Sequence, residues 1–575
     1  MSAERDRLIR LFSDPLFDPP EGSAAPDVAL PYQMLRYVRG HISAELPLLQ
    51  QDPEQLRALL ETAAVVDPRL FHVMFLDQCM ATGGILEYAA DSAVLDDVAE
   101  GFSIGTALMT ELGHGSSGAN ILTEAVYDPE HDEFVLSSPF PAAVKFPPNV
   151  GLDGWAKWGV VGARLKAAGT DRGLFLFLVP LRDETGPRPG VRIRTLPATS
   201  LLPLDYASVA FDAVRVPRRH WLRDGARLEA DGAFTDPVGH PAERSRRSAA
   251  LVRFAWGALC PGLAAMARAG AAIALSHAGR RVINNKFALN VPAVEYRNQQ
   301  RLLVTSLAAA FAASALADGV PETCWRLKPD SGPTAAEMRT ASLAKVAVDR
   351  LAERAITAAR ATCGALGFLS VNRLVDYLAF TMAFASAGGD NEVILLDAAW
   401  SMTAGQDYEP PLAEPADVPI EARCLDLLRV REARLHALLS TRFQAALEKA
   451  GDQGDGGFSA WNDQADLART FAEAHQDRLI GEAMQAMDAS RLPEPLRADL
   501  ALYLNLESVE RHDGWYQAQG LLTGQEAQAL TDLLADRRGW ISESFDAYLT
   551  ALDVPLGLTR AAIAEPDYVR ALAPR

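Results

Sequence analysis

The sequence predicts an α+β protein that is mainly helical, with its β-structure confined to one central block. Three observations predict this class. Apolar residues recur at three- and four-residue intervals over much of 30–107, which is helical spacing. Short β-rich runs separated by turn residues then fill 108–225, and helical spacing returns from 240 onward. The expected order is therefore helical, β, helical, helical.

The first two blocks have distinct textures. LPYQMLRYVRGHISAEL and PEQLRALLETAAVV predict an N-terminal helical domain over 1–107. In the central β-domain, 108–225, runs such as EFVLSS, WAKWGVVGARL and GLFLFLVPL alternate with the turn sequences DPEHD and GTDRG. Because no helix separates these runs, we expect an antiparallel sheet or barrel and not a doubly wound parallel sheet.

Two helical blocks follow the β-domain. The first, over 240–402, is a predicted helical bundle whose densest segment is AALVRFAWGALCPGLAAMARAGAAIALSHAGRR. A Pro-rich linker, EPPLAEPADVP at 409–419, closes it. The second, over 421–575, is a predicted C-terminal helical domain that a flexible GDQGDGG at 451–457 interrupts.

Composition excludes several classes of protein. The 575 residues carry 55 Lys+Arg against 74 Asp+Glu, a net charge of −19, which disfavours nucleic acid as a partner. The longest apolar run, 302–317, is shorter than the about 20 residues of a membrane span and predicts a buried helix. The charged N-terminus MSAERDRLIRLF is unlike a signal peptide, so a cytoplasmic protein is expected. Scattered cysteines and histidines predict no metal site.

A glycine-rich motif, GHGSSG at 113–118, matches the GxGxxG pattern of dinucleotide-binding folds. That pattern needs a helix after it, but the residues that follow, ANILTEAVYDPEHDEFVLSS, predict strand, turn and strand. A Rossmann site is therefore not expected. A glycine-rich turn that opens a β-domain can still present backbone N–H groups to a phosphate or a flavin ring.

The residues around that turn are more specific. TELGHGS at 110–116, then TEAVYDPEHDEFVLSSP and KFPP at 145–148, closely resembles the flavin-binding segment of acyl-CoA oxidases, which belong to the acyl-CoA dehydrogenase superfamily. PAVEYRNQQRLL (292–303) looks like the family's PxLDYQxQQxxL helix, and CGALGF (363–368) is similar to its CGGHGY turn. LESVERHDGWYQAQGLLTGQEAQAL (506–530) resembles its C-terminal helical domain. The resemblance runs in the family's order from about residue 65.

The resemblance implies an acyl-CoA-oxidase-like fold and a function. Family members bind FAD non-covalently at a homodimer interface and oxidise the Cα–Cβ bond of an acyl-CoA. A carboxylate removes the α-proton, and O2 is the expected electron acceptor. The expected partner of this chain is an acyl-CoA or an acyl thioester on a carrier protein. Such chemistry requires a polarised carbonyl and a desolvated base.

Site residues follow from the resemblance position by position. Arg280 lies where an arginine of the family meets the FAD pyrophosphate, a role suited to charge-assisted hydrogen bonds. The other positions that match flavin- or FAD-contacting residues are Thr110, Gly113, Lys145, Phe146, Arg297, Gly364, Gly367 and Asp390. Lys145 and Phe146 are expected beside the isoalloxazine, and Arg297 as an added phosphate contact. The two glycines are expected against the partner subunit's FAD.

The main departure concerns the catalytic glutamate. The family's segment reads T-(Y/F)-E-G-(D/E)-N-T-V, whereas 386–393 here reads SAGGDNEV, which places Gly388 at the glutamate position. Glycine has no side chain, so the usual base is absent. Some superfamily members carry the base on an earlier helix, but that position holds Val252. Gly388 keeps the backbone N–H that helps to hold the thioester carbonyl in the family.

Three interpretations stay open. Glu392 or Asp390 is a relocated base, although Glu392 could equally contact FAD or solvent. Alternatively, the substrate needs no strong base because its proton is already acidic or its C–N bond is electron-rich. Lastly, the redox step is lost, leaving a fold-retaining thioester-binding protein with non-redox chemistry. Asn149 and Phe146, which also depart from the family, are expected to reshape the flavin's edge and so to alter its reaction with oxygen.

Overall fold

The computed structural model describes residues 2–18, 26–42, 47–99, 103–118, 120–197, 199–229, 232–327, 332–412, 414, 418–450 and 457–573. Two compact units are present. One comprises Met1–Leu259 with Pro321–Gly332, and the other Cys260–Val320 with Pro333–Arg575. The sequence-based division into four domains is finer than these two units and stays a prediction.

The first unit begins with helices whose starts are encoded locally. Asp52 caps one of them by accepting a hydrogen bond from Gln55 N, and Pro53 is its first residue. Asp67 and Pro68 repeat the arrangement, because proline tolerates the first helical position and aspartate satisfies a free N–H. The helices are α1 Ser2–Phe12, α2 Leu30–Gly40, α3 Leu48–Gln51, α4 Pro53–Val66, α5 Pro68–Phe75, α6 Thr82–Tyr88 and α7 Asp96–Ala99.

The central β-block is built on one seven-stranded sheet. The strands of the block are β1 Ser103–Leu108, β2 Glu124–Asp128, β3 Glu133–Ser137, β4 Ala156–Ala167, β5 Thr170–Arg182, β6 Val191–Thr195, β7 Ala207–Phe211, β8 Val214–Pro217, β9 Trp221–Leu222, β10 Arg227–Leu228 and β11 Phe234–Thr235. The main sheet has the order β8-β3-β2-β4-β5-β9, and β1 also pairs with β4. The shorter strands form the pairs β6–β7 and β10–β11.

This sheet corrects the expectation of an antiparallel one, because it is mixed. Strand β1 pairs in parallel with the first half of β4, and β2 pairs in parallel with its second half. The remaining pairs of the sheet are antiparallel. The long return from the β2–β3 hairpin to β4 explains the parallel pair, since it brings β4 back in the direction of β2. Strongly β-prone runs predict strands but not the order in which they pair.

The strands alternate apolar residues toward one core. On β4, Val161, Ala163 and Leu165 are buried in the cluster that also contains Phe175 and Phe177 of β5. A period of two places these side chains on the same face of the sheet. This packing stabilises the strands of the β-block. The loop at 110–113 extends from that block.

The rest of the described chain is mostly helical. Capping boxes begin two helices, at Thr334 with Glu337 and at Thr523 with Glu526. The elements are α8 Pro241–Ala249, α9 Arg253–Arg280, β12 Val282–Ile283, β13 Val291–Pro292, α10 Arg297–Ala317, α11 Val320–Cys324, α12 Ala335–Thr362, α13 Leu374–Phe384, α14 Asn391–Thr403, α15 Ile420–Ala450, α16 Phe458–Asn462, α17 Ala465–Ala486, α18 Leu496–Arg511, α19 Asp513–Ala518, α20 Gly524–Glu543, α21 Phe545–Ala551, α22 Leu556–Thr559 and α23 Tyr568–Leu572.

Two helical segments of the described chain are long and apolar enough to cross a membrane by length and composition, Pro241–Arg280 and Arg297–Cys324. Their most apolar windows are 94% and 72% buried inside the fold. The second contains the run 302–317, which was expected to be a buried helix. Of the segments predicted to be flexible, residues 451–456 and, in the linker, 413 and 415–417 lie outside the described residues.

Candidate functional site

A buried ion pair supports the loop at 110–113 in the first unit. Lys145 is fully buried, and its Nζ donates to Glu111 Oε1 at 2.9 Å and to Met109 O at 3.3 Å. Glu111 also accepts from the Leu122 and Thr123 backbone amides at 2.7 and 2.9 Å. Burial lowers the pKa of Lys145 to about 8, and the Glu111 carboxylate opposes that shift. The pair fastens the start of the loop to the rest of the β-block.

These contacts give Lys145 a structural role. Its side chain is fully buried and positions the loop. Its expected place beside the isoalloxazine stays a prediction. Thr110 and Gly113 are exposed, as a direct contact requires, and Phe146 is half-buried with its N–H donating to Thr110 O at 3.0 Å. Gly113 has to be glycine because a Cβ there would lie 2.4 Å from the Ala142 Cβ.

A second buried network in this unit was not found from the sequence. Asn149 donates to Tyr32 Oη at 3.1 Å, and Lys157 donates to Asp205 Oδ2 at 2.5 Å and to Asn149 O at 2.7 Å. The Tyr32 hydroxyl donates to Asp205. Asn149 is therefore used inside the fold, and its expected effect on a flavin edge stays a prediction. The four residues of this network lie far apart in the chain, at positions 32, 149, 157 and 205, so no local sequence pattern predicts that they meet.

Arg280, at the end of α9, is the main cationic candidate of the second unit. Its Nη2 donates to Ser276 Oγ at 2.8 Å and to Ala564 O at 2.9 Å. Its Nε is buried and has no hydrogen-bond partner among the residues that the structure describes. The guanidinium is thus held at one end by uncharged acceptors and forms no ion pair with the described residues, so its charge is available to a phosphate.

The turn at Gly364–Phe368 owes its glycines to close packing. Gly364 has a φ of +61°, and a Cβ there would lie 3.2 Å from the Arg281 guanidinium. Arg281 Nη1 itself donates to Thr362 O at 2.7 Å. A Cβ on Gly367 would lie 2.3 Å from Arg360 O. Packing therefore requires the glycine at 367 and the positive φ favours the one at 364, and their expected contact with a partner subunit's FAD stays a prediction.

Arg297 is the first residue of α10 and is exposed, with Nη1 donating to Gln300 Oε1 at 2.9 Å. An exposed guanidinium at this position can reach a ligand without a change of backbone. Its predicted contact with a phosphate stays a prediction.

The loop at 385–390, which contains Gly388, is held by a buried lysine. Lys345 Nζ donates to Phe384 O at 2.6 Å, to Gly389 O at 2.8 Å and to Asn391 Oδ1 at 2.8 Å. These three bonds fix both ends of the loop. Gly388 and Gly389 have φ values of +65° and +97°, which favour glycine. The missing glutamate is thus accompanied by a loop conformation that L residues adopt at a cost.

Asp349 completes this cluster and could not be identified from the sequence. Its Oδ2 accepts from Asn391 Nδ2 at 2.8 Å, and its Oδ1 has no hydrogen-bond partner among the described residues. Burial raises the pKa of Asp349 to about 6, while Lys345 and Asn391 act in the opposite direction. Only 2% of the residue is exposed, so this carboxylate lies inside the bundle and supports the loop from within.

The two acidic residues that were candidates for a relocated base are otherwise engaged. Asp390 caps α14, since its Oδ1 accepts from the Glu392 and Val393 backbone amides at 3.0 and 3.3 Å. The Glu392 carboxylate pairs with Arg350 and Arg469, each at 2.9 Å, and is 54% exposed. The cap accounts for Asp390 without a cofactor, and the ion pairs occupy both oxygens of Glu392. These contacts favour the structural interpretation of both residues.

Comparison with known proteins gives a consistent result. Residues 258–403 match the acyl-CoA oxidase C-alpha1 domain. Peroxisomal acyl-coenzyme A oxidase 2 of Arabidopsis thaliana is 25% identical over 89% of this chain and 80% of its own length. Acyl-CoA oxidase 1 of Yarrowia lipolytica superposes with a TM-score of 0.83 at 18% identity, covering 98% of this chain and 88% of that one.

A third relative is acyl-CoA oxidase 2 of Caenorhabditis elegans, whose crystal structure is described as bound with FAD, ascaroside-CoA and ATP. It superposes with a TM-score of 0.81 at 18% identity, covering 98% of this chain and 88% of that one. The fold expected from the sequence is therefore confirmed. Together with the matched domain and the similarity along the sequence, it shows that this chain is similar to acyl-CoA oxidases over most of its length.

Proposed function

We propose that this protein is an FAD-dependent oxidoreductase that oxidises the acyl group of an acyl-CoA. Similarity to acyl-CoA oxidases supports the reaction class, and the C. elegans relative was crystallised with FAD, ascaroside-CoA and ATP. The observation that carries the cofactor is Arg280, a half-buried guanidinium whose bonds within the described residues are all to uncharged acceptors. Bound FAD would supply the two-electron acceptor for the Cα–Cβ bond.

The residues of each unit fit this cofactor. In the first unit, the exposed backbone at Thr110 and Gly113 can approach a flavin ring, and the Lys145–Glu111 pair keeps that loop in place. In the second unit, Arg280 offers charge-assisted hydrogen bonds to the pyrophosphate. Charged donors in partly buried positions bind phosphate more strongly than exposed ones, because water screens them less.

The finer proposal concerns the substrate. Gly388 offers no carboxylate, Glu392 is paired with two guanidinium groups, and Asp349 is buried inside the bundle. An ordinary acyl-CoA has a weakly acidic α-proton and requires a strong, well-placed base. We therefore propose a specialised acyl thioester whose α-proton is already acidic, carried by CoA or by a carrier protein, with O2 as the electron acceptor.

A second candidate function rests on the same absence at Gly388. A chain that binds the thioester but lacks a base would perform non-redox chemistry on the same fold. The two candidates differ in one observable property, since only the first requires bound FAD to change its absorbance when substrate is added.

The test is the absorbance of the purified protein with bound flavin. We expect a yellow protein that releases FAD on heating, and anaerobic bleaching by at least one member of a panel of acyl thioesters. The rate at which colour returns in air then separates an oxidase from a dehydrogenase. A colourless protein that binds no added FAD would contradict the proposal, and FAD binding without any bleaching would favour the non-redox candidate.

Arg280→Ala tests the proposed pyrophosphate contact directly. Loss of a hydrogen bond to a charged group costs about 1.5–3 kcal/mol, so the Kd for FAD should rise about 10- to 150-fold. Arg301→Ala, at an exposed arginine of α10, is the matched control and should leave the Kd unchanged. An equal Kd in Arg280→Ala and in the control would show that Arg280 does not contact the cofactor.

A homodimer is part of the proposal, and exposed apolar residues of the second unit support it. Phe287 and Leu289, in the segment between β12 and β13, are 86% and 74% exposed, and Phe368 is 60% exposed. Large apolar side chains in such positions are typical of protein interfaces. We expect light scattering to give a dimer mass, and the Phe287→Ser/Leu289→Ser variant to shift it toward the monomer. A wild-type monomer at micromolar concentration would contradict this part of the proposal.

A further inference from the structure

We propose that residues 559–564, here named the C-terminal strap, are a positioning element of the cofactor site. The strap would hold the Arg280 guanidinium in the orientation that receives the FAD pyrophosphate. This inference rests on the proposed binding of FAD by Arg280. All of the contacts that carry it lie within the second unit.

The strap contacts Arg280 through backbone carbonyl groups. Arg280 Nη2 donates to Ala564 O at 2.9 Å and more weakly to Ile563 O at 3.4 Å, beside its bond to Ser276 Oγ. All three acceptors are uncharged, and Arg280 forms no ion pair with the described residues. The guanidinium is therefore oriented without being neutralised, so its full charge stays available to an anion.

The strap is itself fixed to the turn at Gly364–Phe368. Ile563 is fully buried, and its N–H donates to Asn372 Oδ1 at 3.1 Å. The Asn372 side chain also donates through its Nδ2 to Leu366 O, a carbonyl of the turn, at 2.9 Å. At the other end of the strap, Thr559 O accepts from Arg373 Nε at 3.1 Å. One asparagine thus links the strap to the turn, whose glycines were matched to FAD contacts.

The electrostatic surroundings agree with an anion site. His277 lies in the last turn of α9, close to Arg280 and Arg281. It is buried, and its ring packs against that of Tyr568 with centroids 4.8 Å apart. Burial lowers the pKa of His277 to about 4, and Arg281 and Arg280 act in the same direction. The histidine is therefore uncharged at neutral pH.

Preorganisation is the physical reason for such an element. A free arginine side chain has a large rotamer entropy, part of which is lost when it binds a ligand. Acceptors that restrict the guanidinium beforehand reduce this loss and so increase affinity. If the strap supplies that restriction, its removal should weaken FAD binding while the rest of the chain stays folded.

Two truncations of the full-length protein test the inference. Ending the chain after Leu558 removes the strap and α23, whereas ending it after Glu565 removes α23 but keeps the carbonyls of Ile563 and Ala564. We expect about a tenfold higher Kd for FAD in the first truncation, measured by flavin fluorescence, and an unchanged Kd in the second. Thermal unfolding without FAD and the dimer mass confirm that both proteins are intact.

A double-mutant cycle separates positioning from general loosening. If the strap acts through Arg280, the truncation after Leu558 should cause no further loss of affinity in the Arg280→Ala background. The full-length variant Asn372→Leu, which releases the strap without shortening the chain, should reproduce the loss even if the truncated protein does not fold.

Three results would overturn the inference. The first is an unchanged Kd for FAD in both the truncation after Leu558 and Asn372→Leu. The second is an equal loss of FAD affinity in the two truncations. The third is a truncation after Leu558 that causes its full loss of affinity even in the Arg280→Ala background. A wild-type protein that binds no FAD would instead contradict the proposed function on which the inference rests.

Discussion

Replacing Gly388 by glutamate is the most informative perturbation of this protein. The sequence resemblance predicts that this position matches the family's catalytic glutamate, so Gly388→Glu should restore a general base where the α-proton of a simple acyl-CoA is removed. We expect the variant to reduce bound FAD with straight-chain acyl-CoA substrates that the wild type oxidises very slowly.

The size of the gain follows from two opposing effects. General-base catalysis contributes typically about 10²- to 10⁴-fold. Gly388 has a φ of +65°. A residue with a Cβ in that conformation costs about 1–2 kcal/mol. If the loop has to move before reaction, this cost lowers the rate by about one decade. Lys345 fixes the loop, so the backbone cannot relax freely. The net expected gain is about 10- to 10³-fold.

The assay is anaerobic stopped-flow bleaching of the flavin absorbance. Gly388→Gln is the matched control, because it has the same strain and nearly the same volume but no basic carboxylate. Gly388→Ala measures the strain alone. Equal rates for the Glu and Gln variants, with FAD and thioester both bound, would refute the alignment of Gly388 with the site of proton removal.

The remaining predictions concern residues whose roles the structure changes or adds. Glu392→Gln should leave flavin reduction by the native substrate unchanged, and a complete loss with FAD retained would identify Glu392 as the base after all. Lys145→Met should lower the free energy of unfolding in urea by about 3–5 kcal/mol, because Glu111 is left buried and unpaired, and adding Glu111→Gln should restore much of it. A cost below about 1 kcal/mol would contradict this. Burial raises the pKa of Glu432 in α15, but hydrogen bonds with His475 and Arg478 of α17 outweigh it and lower the pKa to about 2 from an ordinary 4.5. Its stabilisation is complete above pH 4.5 and should be lost as the pH falls toward 2, and Glu432→Gln should flatten this part of the stability profile.

Much of the fold could be predicted from residue patterns. The 3.6-residue spacing identifies the helical blocks, and the turn residues identify the β-block, since both patterns are local. The parallel pairing of β1 and β2 with β4 could not be predicted, because pairing depends on contacts between residues 53 and 40 positions apart in the chain. Local patterns say which residues form a strand, and the packing of the whole sheet decides which strand lies beside it.

The candidate site shows the same division. Its motif makes Arg280 a candidate, but its partners Ser276 and Ala564 are an ordinary serine and a backbone carbonyl, which leave no signal in a sequence. The motif also makes Lys145 a candidate, but it could not predict the burial of its side chain, because a motif records position and not burial. Lys345 lies in an unremarkable helical pattern, and only the fold brings it to the loop at 385–390.

Lys345 also bears on what the loss of the glutamate means. A buried ammonium is costly unless its donors are satisfied, and here two carbonyl groups and one amide oxygen satisfy all three. None of these bonds involves a side chain at position 388. The lysine therefore helps to maintain the conformation of the loop without a side chain at position 388. A base can be removed from such a loop without collapse of its backbone, so the absence of the glutamate is compatible with an intact thioester site. The comparison of Gly388→Glu with Gly388→Gln measures this directly, since a rate gain specific to glutamate requires that the pocket above the loop still accepts an acyl thioester.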